Sequence, residues 1–122
     1  MTSITRYPSA KPLPLSRAVK AGGFLFLSGV LPADADGRPI AGDIRTETRA
    51  VLQQIDAVLT ELGATRADVV RATVWLADLR EFAEFNQEYE GYFGHHLPAR
   101  STVQAELNRG AKVEIEVQAF LG

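Results

Sequence analysis

The chain has 122 residues, of which 46% are hydrophobic and 23% are charged, so it is long enough for one globular domain and too short for two. The absence of cysteine excludes a disulfide framework, a thiolate metal site and a cysteine nucleophile. A formal charge of −2 and apolar runs no longer than Phe24–Leu27 favour a cytoplasmic protein that binds neither nucleic acid nor a membrane.

The N-terminal residues predict an extended arm followed by a β-hairpin. Three prolines in the first sixteen residues, without clear periodicity, indicate an arm that enters the fold. Two short β-prone runs, Val19–Ala21 and Phe24–Leu27, flank Gly22-Gly23, which is typical of a hairpin turn. Because the second run is apolar at consecutive positions, we expect both faces of that strand to be buried.

Two amphipathic helices are predicted further along the chain. The first begins after the capping residue Asp43 and ends before Gly63, with apolar residues at three- and four-residue spacing. The second runs from about Leu79 to Phe93, and Gly94 closes it. The aromatic residues expected on one side of this second helix are Phe82, Phe85, Tyr89, Tyr92 and Phe93.

Three later segments alternate with a period of two, which predicts strands. In the segment after Asp68, the residues expected to share one face are Val70, Ala72, Val74 and Leu76. In the last segment, the apolar face is expected to carry Val113, Ile115, Val117 and Ala119. The order ββ-α-β-α-ββ predicts an α+β fold, in which two helices pack on one face of a mixed sheet.

The face of the sheet without helices is expected to be an interface. Trp75, Thr73 and one side of Phe24–Leu27 would make it unusually apolar for a monomer, which favours a partner chain. The polar residues expected on the same face are Arg100, Thr102, Gln104, Glu114 and Glu116. A second subunit would turn this face into a lined cleft, whereas in a monomer it would be a solvated surface with ordinary cross-strand ion pairs.

Several stretches together resemble the RidA family, also called YjgF or UK114 proteins. The most specific are Leu-Pro-Ala-Arg-Ser-Thr-Val at 97–103 and Lys-Val-Glu-Ile-Glu at 112–116, and Ser28–Pro32, Phe85–Tyr89 and Tyr92–Gly94 fit as well. The resemblance implies that residues 1–122 form a single domain with a chorismate-mutase-like fold. It also implies a homotrimer with three clefts between neighbouring subunits.

The resemblance further implies an activity and a set of site residues. Enzymatic members hydrolyse reactive enamines and imines to 2-oxo acids and ammonia, without a cofactor or a metal. Arg100 falls on the position that binds the substrate carboxylate, and its planar guanidinium suits two parallel hydrogen bonds. Glu114 falls on the residue that contacts the reacting water, a role suited to general acid–base catalysis. The remaining site positions fall on Gly29, Asn86 and Thr102.

The carboxylate of Glu116 is expected to face the same way as that of Glu114. Two carboxylates near one arginine can set each other's protonation state. We select Glu114 for the catalytic role and keep Glu116 as a structural ion-pair partner.

The chain departs from the family pattern near its N-terminus. Deaminating members usually carry Gly-Pro-Tyr-Ser-Gln-Ala where this chain has Leu-Pro-Leu-Ser-Arg-Ala at 13–18. Leu15 therefore replaces a tyrosine that reaches into the neighbouring cleft, and Arg17 replaces a glutamine. We expect these two residues to make the substrate-binding cleft more hydrophobic and more cationic, which would favour imino acids with aliphatic side chains.

Three functions follow, in decreasing order of support. The first is an enamine/imine deaminase acting on small substrates such as 2-aminoacrylate and its imine form 2-iminopropanoate, and the second is a non-catalytic trimer that binds 2-oxo acids. The third is RNA cleavage, which the scattered arginines and lysines disfavour. No metal site is expected, because the adjacent side chains of His95 and His96 do not converge on one ion. Ser28 and Ser101 lack the nucleophile-elbow motif of a serine hydrolase.

Overall fold

A computed structural model describes residues 3–122 as a six-stranded mixed sheet that carries two helices. The strands are β1 (Ile4–Pro8), β2 (Ser16–Ala21), β3 (Phe24–Leu27), β4 (Val69–Leu76), β5 (Ala99–Gln104) and β6 (Val113–Phe120). The helices are α1 (Ile44–Glu61) and α2 (Phe82–Phe93). The strand order is β1-β2-β3-β6-β4-β5, and among these described strands β4 and β5 are the one parallel pair. The predicted α+β architecture is therefore confirmed.

The N-terminal arm differs from the expectation, because part of it is a strand. Ile4–Pro8 pairs antiparallel with β2 at the edge of the sheet, with a register shift between Tyr7 and Pro8. A proline has no N–H to donate to the ladder, so an edge strand or a bulge is where a sheet tolerates it. The prolines of this segment are typical of an irregular arm, so the sequence did not predict that it pairs as a strand.

The predicted hairpin is confirmed, but the expected burial of both faces of its second strand is wrong for the single chain. Gly22 supplies the turn with a φ of 60°. Leu25 and Leu27 are buried, whereas Phe24 and Phe26 are 42% and 40% exposed. The helices cover only one face of the sheet, so alternate side chains of β3 remain on the open face.

Both predicted helices are present, and their ends follow local capping. The Asp43 side chain accepts the Thr46 N–H at 2.8 Å and caps α1. The second helical segment begins as a 3₁₀ turn over Leu79–Glu81 and becomes α-helical only at Phe82. Neither helix among residues 3–122 is long and apolar enough to span a bilayer.

The first residues of β4 reverse the predicted alternation. A register shift lies between Val69 and Arg71, and it leaves Val69 buried and Val70 exposed. A β-bulge adds one residue to one strand of a pair, so it exchanges the faces of the residues on one side of it. After the bulge the buried residues are those predicted, Ala72, Val74 and Leu76.

The faces of β5 are also opposite to the expectation. In the parallel ladder Arg100 lies beside Ala72, and Thr102 lies beside Val74, which are both buried under the helices. Arg100, Thr102 and Gln104 therefore belong to the helix-covered face of the sheet, not to the open face. Because β5 has no apolar alternation, only its pairing with β4 selects which residues face the helices.

Candidate functional site

Glu114 and Gly29 meet on the open face of the sheet. Glu114 lies in β6 beside Trp75 of β4. The chain after β3 runs along β6, where the Val30 N–H donates to the Ile115 carbonyl at 2.8 Å and the Ile115 N–H donates to the Val30 carbonyl at 3.2 Å. A Cβ added to Gly29 would overlap Oε2 of Glu114. The Glu114 carboxylate therefore occupies space that any side chain at position 29 would fill. Two of the predicted site residues, Gly29 and Glu114, are thus in contact in the structure.

The environment of Glu114 makes its carboxyl group a weaker acid. Partial burial raises the pKa of Glu114, and the negative charge of Glu116 raises it further. Glu116 lies beside Thr73 on the same face, as the sequence predicted for the two carboxylates. A carboxyl group with a raised pKa can accept and return a proton closer to neutral pH than an ordinary glutamate can.

Arg100 lies on the other side of the sheet, against α2. Its Cζ atom is 5.4, 5.5 and 4.8 Å from the ring centroids of Phe82, Phe85 and Tyr89. Among residues 3–122, no carboxylate lies within 4.0 Å of the guanidinium and no hydrogen bond from it is found. The rings stabilise the cation through their faces and leave its N–H groups available to a planar anion.

Several buried polar atoms near the helix-covered face have no hydrogen-bond partner. Within the described part of the chain, the buried side-chain atoms without a hydrogen-bond partner are Thr48 Oγ1, Asn86 Oδ1, Tyr89 OH and Thr102 Oγ1. Three of the four belong to α2 and β5, the elements that flank Arg100. A buried polar group without a partner costs about 1–3 kcal/mol, so such a set of atoms is typical of a site that a ligand completes.

Asn86 and Thr102, two candidate site residues from the resemblance, are among these residues, whereas the sequence places Tyr89 only on the aromatic side of the helix. Its spacing of seven residues from Phe82 is the signal of a core position. Nothing in the sequence separates a core tyrosine from one whose hydroxyl has no partner.

Leu15 and Arg17 lie near the Gly29 segment, but the Arg17 side chain points to another partner. The Ser28 N–H donates to the Arg17 carbonyl at 3.1 Å, and the Ser28 hydroxyl donates to the Ser16 carbonyl at 2.6 Å. Two N–H groups of the Arg17 guanidinium donate to Glu61 of α1 at 2.7 and 2.9 Å. The expected additional cation is therefore neutralised in an ion pair, while Leu15 is 47% exposed.

A buried carboxylate holds the beginning of β6. Glu47 of α1 is 2% exposed, and its Oε1 accepts the Lys112 N–H at 2.8 Å. Its Oε2 accepts the Gly42 N–H at 3.2 Å and lies 3.4 Å from Lys112 Nζ. These contacts fix the strand two residues before Glu114. Among the residues that the structure describes, no group of three or more His, Cys, Asp or Glu could hold a metal ion.

Known proteins resemble this chain over nearly its whole length. The sequence model of the family described as Endoribonuclease L-PSP matches residues 8–121. A RutC family protein of Pyrococcus abyssi is 42% identical over 113 residues, which cover 90% of this chain and 89% of that protein.

Solved structures show the same fold. The crystal structure of YyfA from Yersinia pestis, described as a protein of unknown function of the conserved Rid protein family, has a TM-score of 0.89 and 37% identity, covering 97% of this chain and 99% of that one. The YjgF gene product of E. coli has a TM-score of 0.85 and 31% identity, covering 91% of both chains.

Proposed function

The chain belongs to the RidA/YjgF/UK114 family, and we propose that it hydrolyses reactive enamines and 2-imino acids to 2-oxo acids and ammonia. The observation that carries this proposal is the Arg100 guanidinium, which rests on three aromatic rings and has no carboxylate partner among residues 3–122. An arginine in this state is a receptor for a planar anion.

Arg100 binds the carboxylate of the substrate. Two parallel N–H···O bonds fix the plane of a 2-imino acid, and this fixes the direction from which water reaches the carbon of the C=N bond. Thr102 shares a face of β5 with Arg100, Asn86 lies in the helix α2 that packs against Arg100, and each has a side-chain oxygen without a partner in the described part of the chain. A lysine would supply the charge but not the paired geometry.

Glu114 transfers protons between the attacking water and the substrate nitrogen. Water adds to the carbon of the C=N bond as Glu114 takes a proton from it, and Glu114 returns this proton to the nitrogen to give a carbinolamine. Glu114 then takes the hydroxyl proton of the carbinolamine and delivers it to the nitrogen, so that the C=O bond of the 2-oxo acid forms as the C–N bond breaks and ammonia leaves. General acid–base assistance of this kind contributes about 10²–10⁴-fold to the rate. The raised pKa of Glu114 suits both accepting and returning the proton.

Two protomers complete each site in this proposal. Arg100 and Glu114 of one chain lie on opposite faces of the sheet, so Arg100 of one protomer serves with Gly29 and Glu114 of its neighbour. The open face supports a covering subunit, because Phe24 and Phe26 are exposed there. A homotrimer with three clefts between subunits satisfies this arrangement.

The charge distribution does not support RNA cleavage as the main activity. RNA binding depends on a continuous basic surface that contacts phosphates. Several cations of this chain are neutralised in ion pairs with carboxylates, namely Arg17, Arg45, Arg49, Arg80 and Lys112.

A coupled assay tests the proposal. A serine dehydratase generates 2-aminoacrylate, and the rate of pyruvate formation is measured with and without this protein. We expect acceleration by the wild-type protein and none by Arg100→Ala. Arg80→Ala is the matched control and keeps full activity, because Arg80 is an exposed arginine paired with Asp78 at 2.8 Å. If the protein binds pyruvate but does not accelerate pyruvate formation, the result would favour the alternative function, a non-catalytic trimer that binds carboxylates.

A further inference from the structure

Tyr89 has a buried hydroxyl group that the fold does not use. The residue is 3% exposed, and its OH has no hydrogen-bond partner among the described residues. Its ring packs against Phe85 and Phe93 of the same helix, at centroid distances of 5.5 and 4.7 Å. A phenylalanine would make the same ring contacts without the desolvation cost of a hydroxyl, so packing does not explain a tyrosine here.

The neighbouring Tyr92 shows what a structural tyrosine of this helix does. Its hydroxyl donates to Asp56 Oδ1 of α1 at 2.8 Å and joins the two helices. Tyr89 and Tyr92 are three residues apart on α2, yet only the Tyr92 hydroxyl is paired within the described chain. The two tyrosines therefore have different roles.

Tyr89 is next to the anion receptor. Of the three rings under the Arg100 guanidinium, the Tyr89 ring is the nearest, with its centroid 4.8 Å from Cζ. Asn86 lies one helical turn before Tyr89 on the same side of α2, and Thr102 follows Arg100 on the same face of β5. The unpartnered hydroxyl thus shares its surroundings with two residues that the family resemblance already assigns to the site.

We propose that the Tyr89 hydroxyl is a substrate-binding group of this site, which donates a hydrogen bond to the carboxylate held by Arg100. The inference rests on the proposed function and adds a ligand contact to it. A carboxylate has about four lone-pair sites, of which the arginine fork occupies two, so an oxygen remains free to accept from Tyr89. The hydroxyl is protonated and able to donate at neutral pH, because the ordinary pKa of tyrosine, 10.0, is already far above this pH and burial raises that of Tyr89 to about 12.

The test compares Tyr89→Phe with the matched variant Tyr92→Phe. Calorimetric titration with pyruvate, the 2-oxo acid product of 2-aminoacrylate, gives the Kd without requiring turnover. Losing one hydrogen bond should weaken pyruvate binding by roughly threefold to tenfold in Tyr89→Phe. In the coupled assay KM should rise with little change in kcat, because the contact is made equally in the ground and transition states. Tyr92→Phe should leave Kd and KM unchanged.

Thermal unfolding separates binding from a structural role. Tyr92→Phe loses the bond to Asp56 and should unfold at a lower temperature, whereas Tyr89→Phe loses no bond of the free protein and should not. Thr48→Val removes an unpartnered hydroxyl from α1 and should leave pyruvate binding unchanged. An unchanged Kd in Tyr89→Phe overturns the inference, as does a wild-type protein that binds no pyruvate. If pyruvate binds but no imine is hydrolysed, the proposed function is wrong. The Tyr89 contact is then still tested by comparing the Kd for pyruvate of Tyr89→Phe with that of the wild-type protein.

Discussion

Arg100 of β5 lies on the helix-covered face of the sheet, whereas Glu114 of β6 lies on its open face. Side chains on one strand alternate between faces, and paired residues of neighbouring strands share a face. The two side chains of one chain therefore point away from opposite faces of the sheet. The proposed site takes them from two copies of the chain, and this proposal leads to the first two predictions.

We expect a trimer in solution, held together through the open face. Val103 is 45% exposed on this face, in the same row as Trp75 and Glu114. Val103→Glu would bury an unpaired charge in the interface, which is strongly unfavourable, so the variant should be monomeric by light scattering. Leu79→Glu changes an equally exposed leucine away from the sheet and should remain trimeric. A monomeric wild-type protein at micromolar concentration would contradict the intersubunit site.

Two inactive variants should restore activity when they are co-expressed. In a random mixture of equal amounts of Arg100→Ala and Glu114→Gln protomers, about a quarter of the interfaces pair an intact Arg100 with an intact Glu114 of the neighbour. The mixed trimers should therefore show roughly a quarter of wild-type kcat in the coupled assay. If each chain forms its own site, the mixture is as inactive as its components.

Gly29→Ala should reduce activity more than stability. The added Cβ would overlap Oε2 of Glu114, and this carboxylate is the end of a flexible side chain that can move away. If Glu114 transfers the proton as proposed, displacing its carboxylate should lower kcat/KM roughly tenfold or more, while circular dichroism and the mass of the assembly stay unchanged.

Gly91→Ala is the matched control for Gly29→Ala. Gly91 lies within α2, and a Cβ added there meets no atom within 4 Å. The substitution should stabilise the protein by about 0.5–1 kcal/mol through the lower entropy of the unfolded chain and leave kcat/KM unchanged. Equal activities of the two variants would show that the close approach of Gly29 to Glu114 has no catalytic importance.

Glu116→Gln should move the Glu114 limb of the pH profile of kcat/KM toward lower pH. Burial is the larger cause of the raised pKa of Glu114, and the negative charge of Glu116 is the second. Removing that charge lowers the pKa of Glu114. The limb therefore moves toward lower pH whether the active form of Glu114 is protonated or ionised. The exposed Glu90→Gln should leave the profile in place.

Urea unfolding at several pH values checks the same pKa without an assay. Because the pKa of Glu114 is raised in the folded state, the stability linked to its protonation is fully present below the ordinary value of 4.5. It is lost as the pH rises through the raised value. This decrease should be smaller in Glu116→Gln and absent in Glu114→Gln. An identical decrease in all three proteins would contradict the assignment.

Leu15, rather than Arg17, should control substrate preference at the N-terminal motif. Leu15→Tyr should lower the ratio of kcat/KM for the imine of leucine to that for 2-aminoacrylate, since a hydroxyl replaces part of an apolar wall. Arg17→Gln should leave this ratio unchanged, because the guanidinium is occupied by Glu61. It should cost at most about 1 kcal/mol of stability, as is usual for a largely exposed ion pair. A change of the ratio in Arg17→Gln alone would show that its side chain leaves Glu61 and enters the cleft.

Local patterns in the sequence were sufficient for most of the elements and for the family. The hairpin at Gly22, the Asp43 cap of α1 and the alternation of β6 each depend on residues close together in the chain, so a short window contains the whole signal. The α+β fold and the RidA/YjgF/UK114 family followed from the order of these elements and from two specific motifs, and both are confirmed. The family resemblance also supplied the candidate roles of Arg100 and Glu114, carboxylate binding and proton transfer, which remain predictions.

Only the tertiary structure decided on which side of the sheet Arg100 lies. Both faces of β5 carry polar residues, so no hydrophobic pattern selects one, and the parallel pairing with β4 places Arg100 beside Ala72. Arg17 likewise finds its partner Glu61 at a separation of 44 residues, which no local pattern records. Sequence periodicity reports what a segment buries, whereas the pairing of distant segments determines which polar groups meet. The sequence could therefore supply candidate site residues, but not the placement of Arg100 and Glu114 on opposite faces of the sheet.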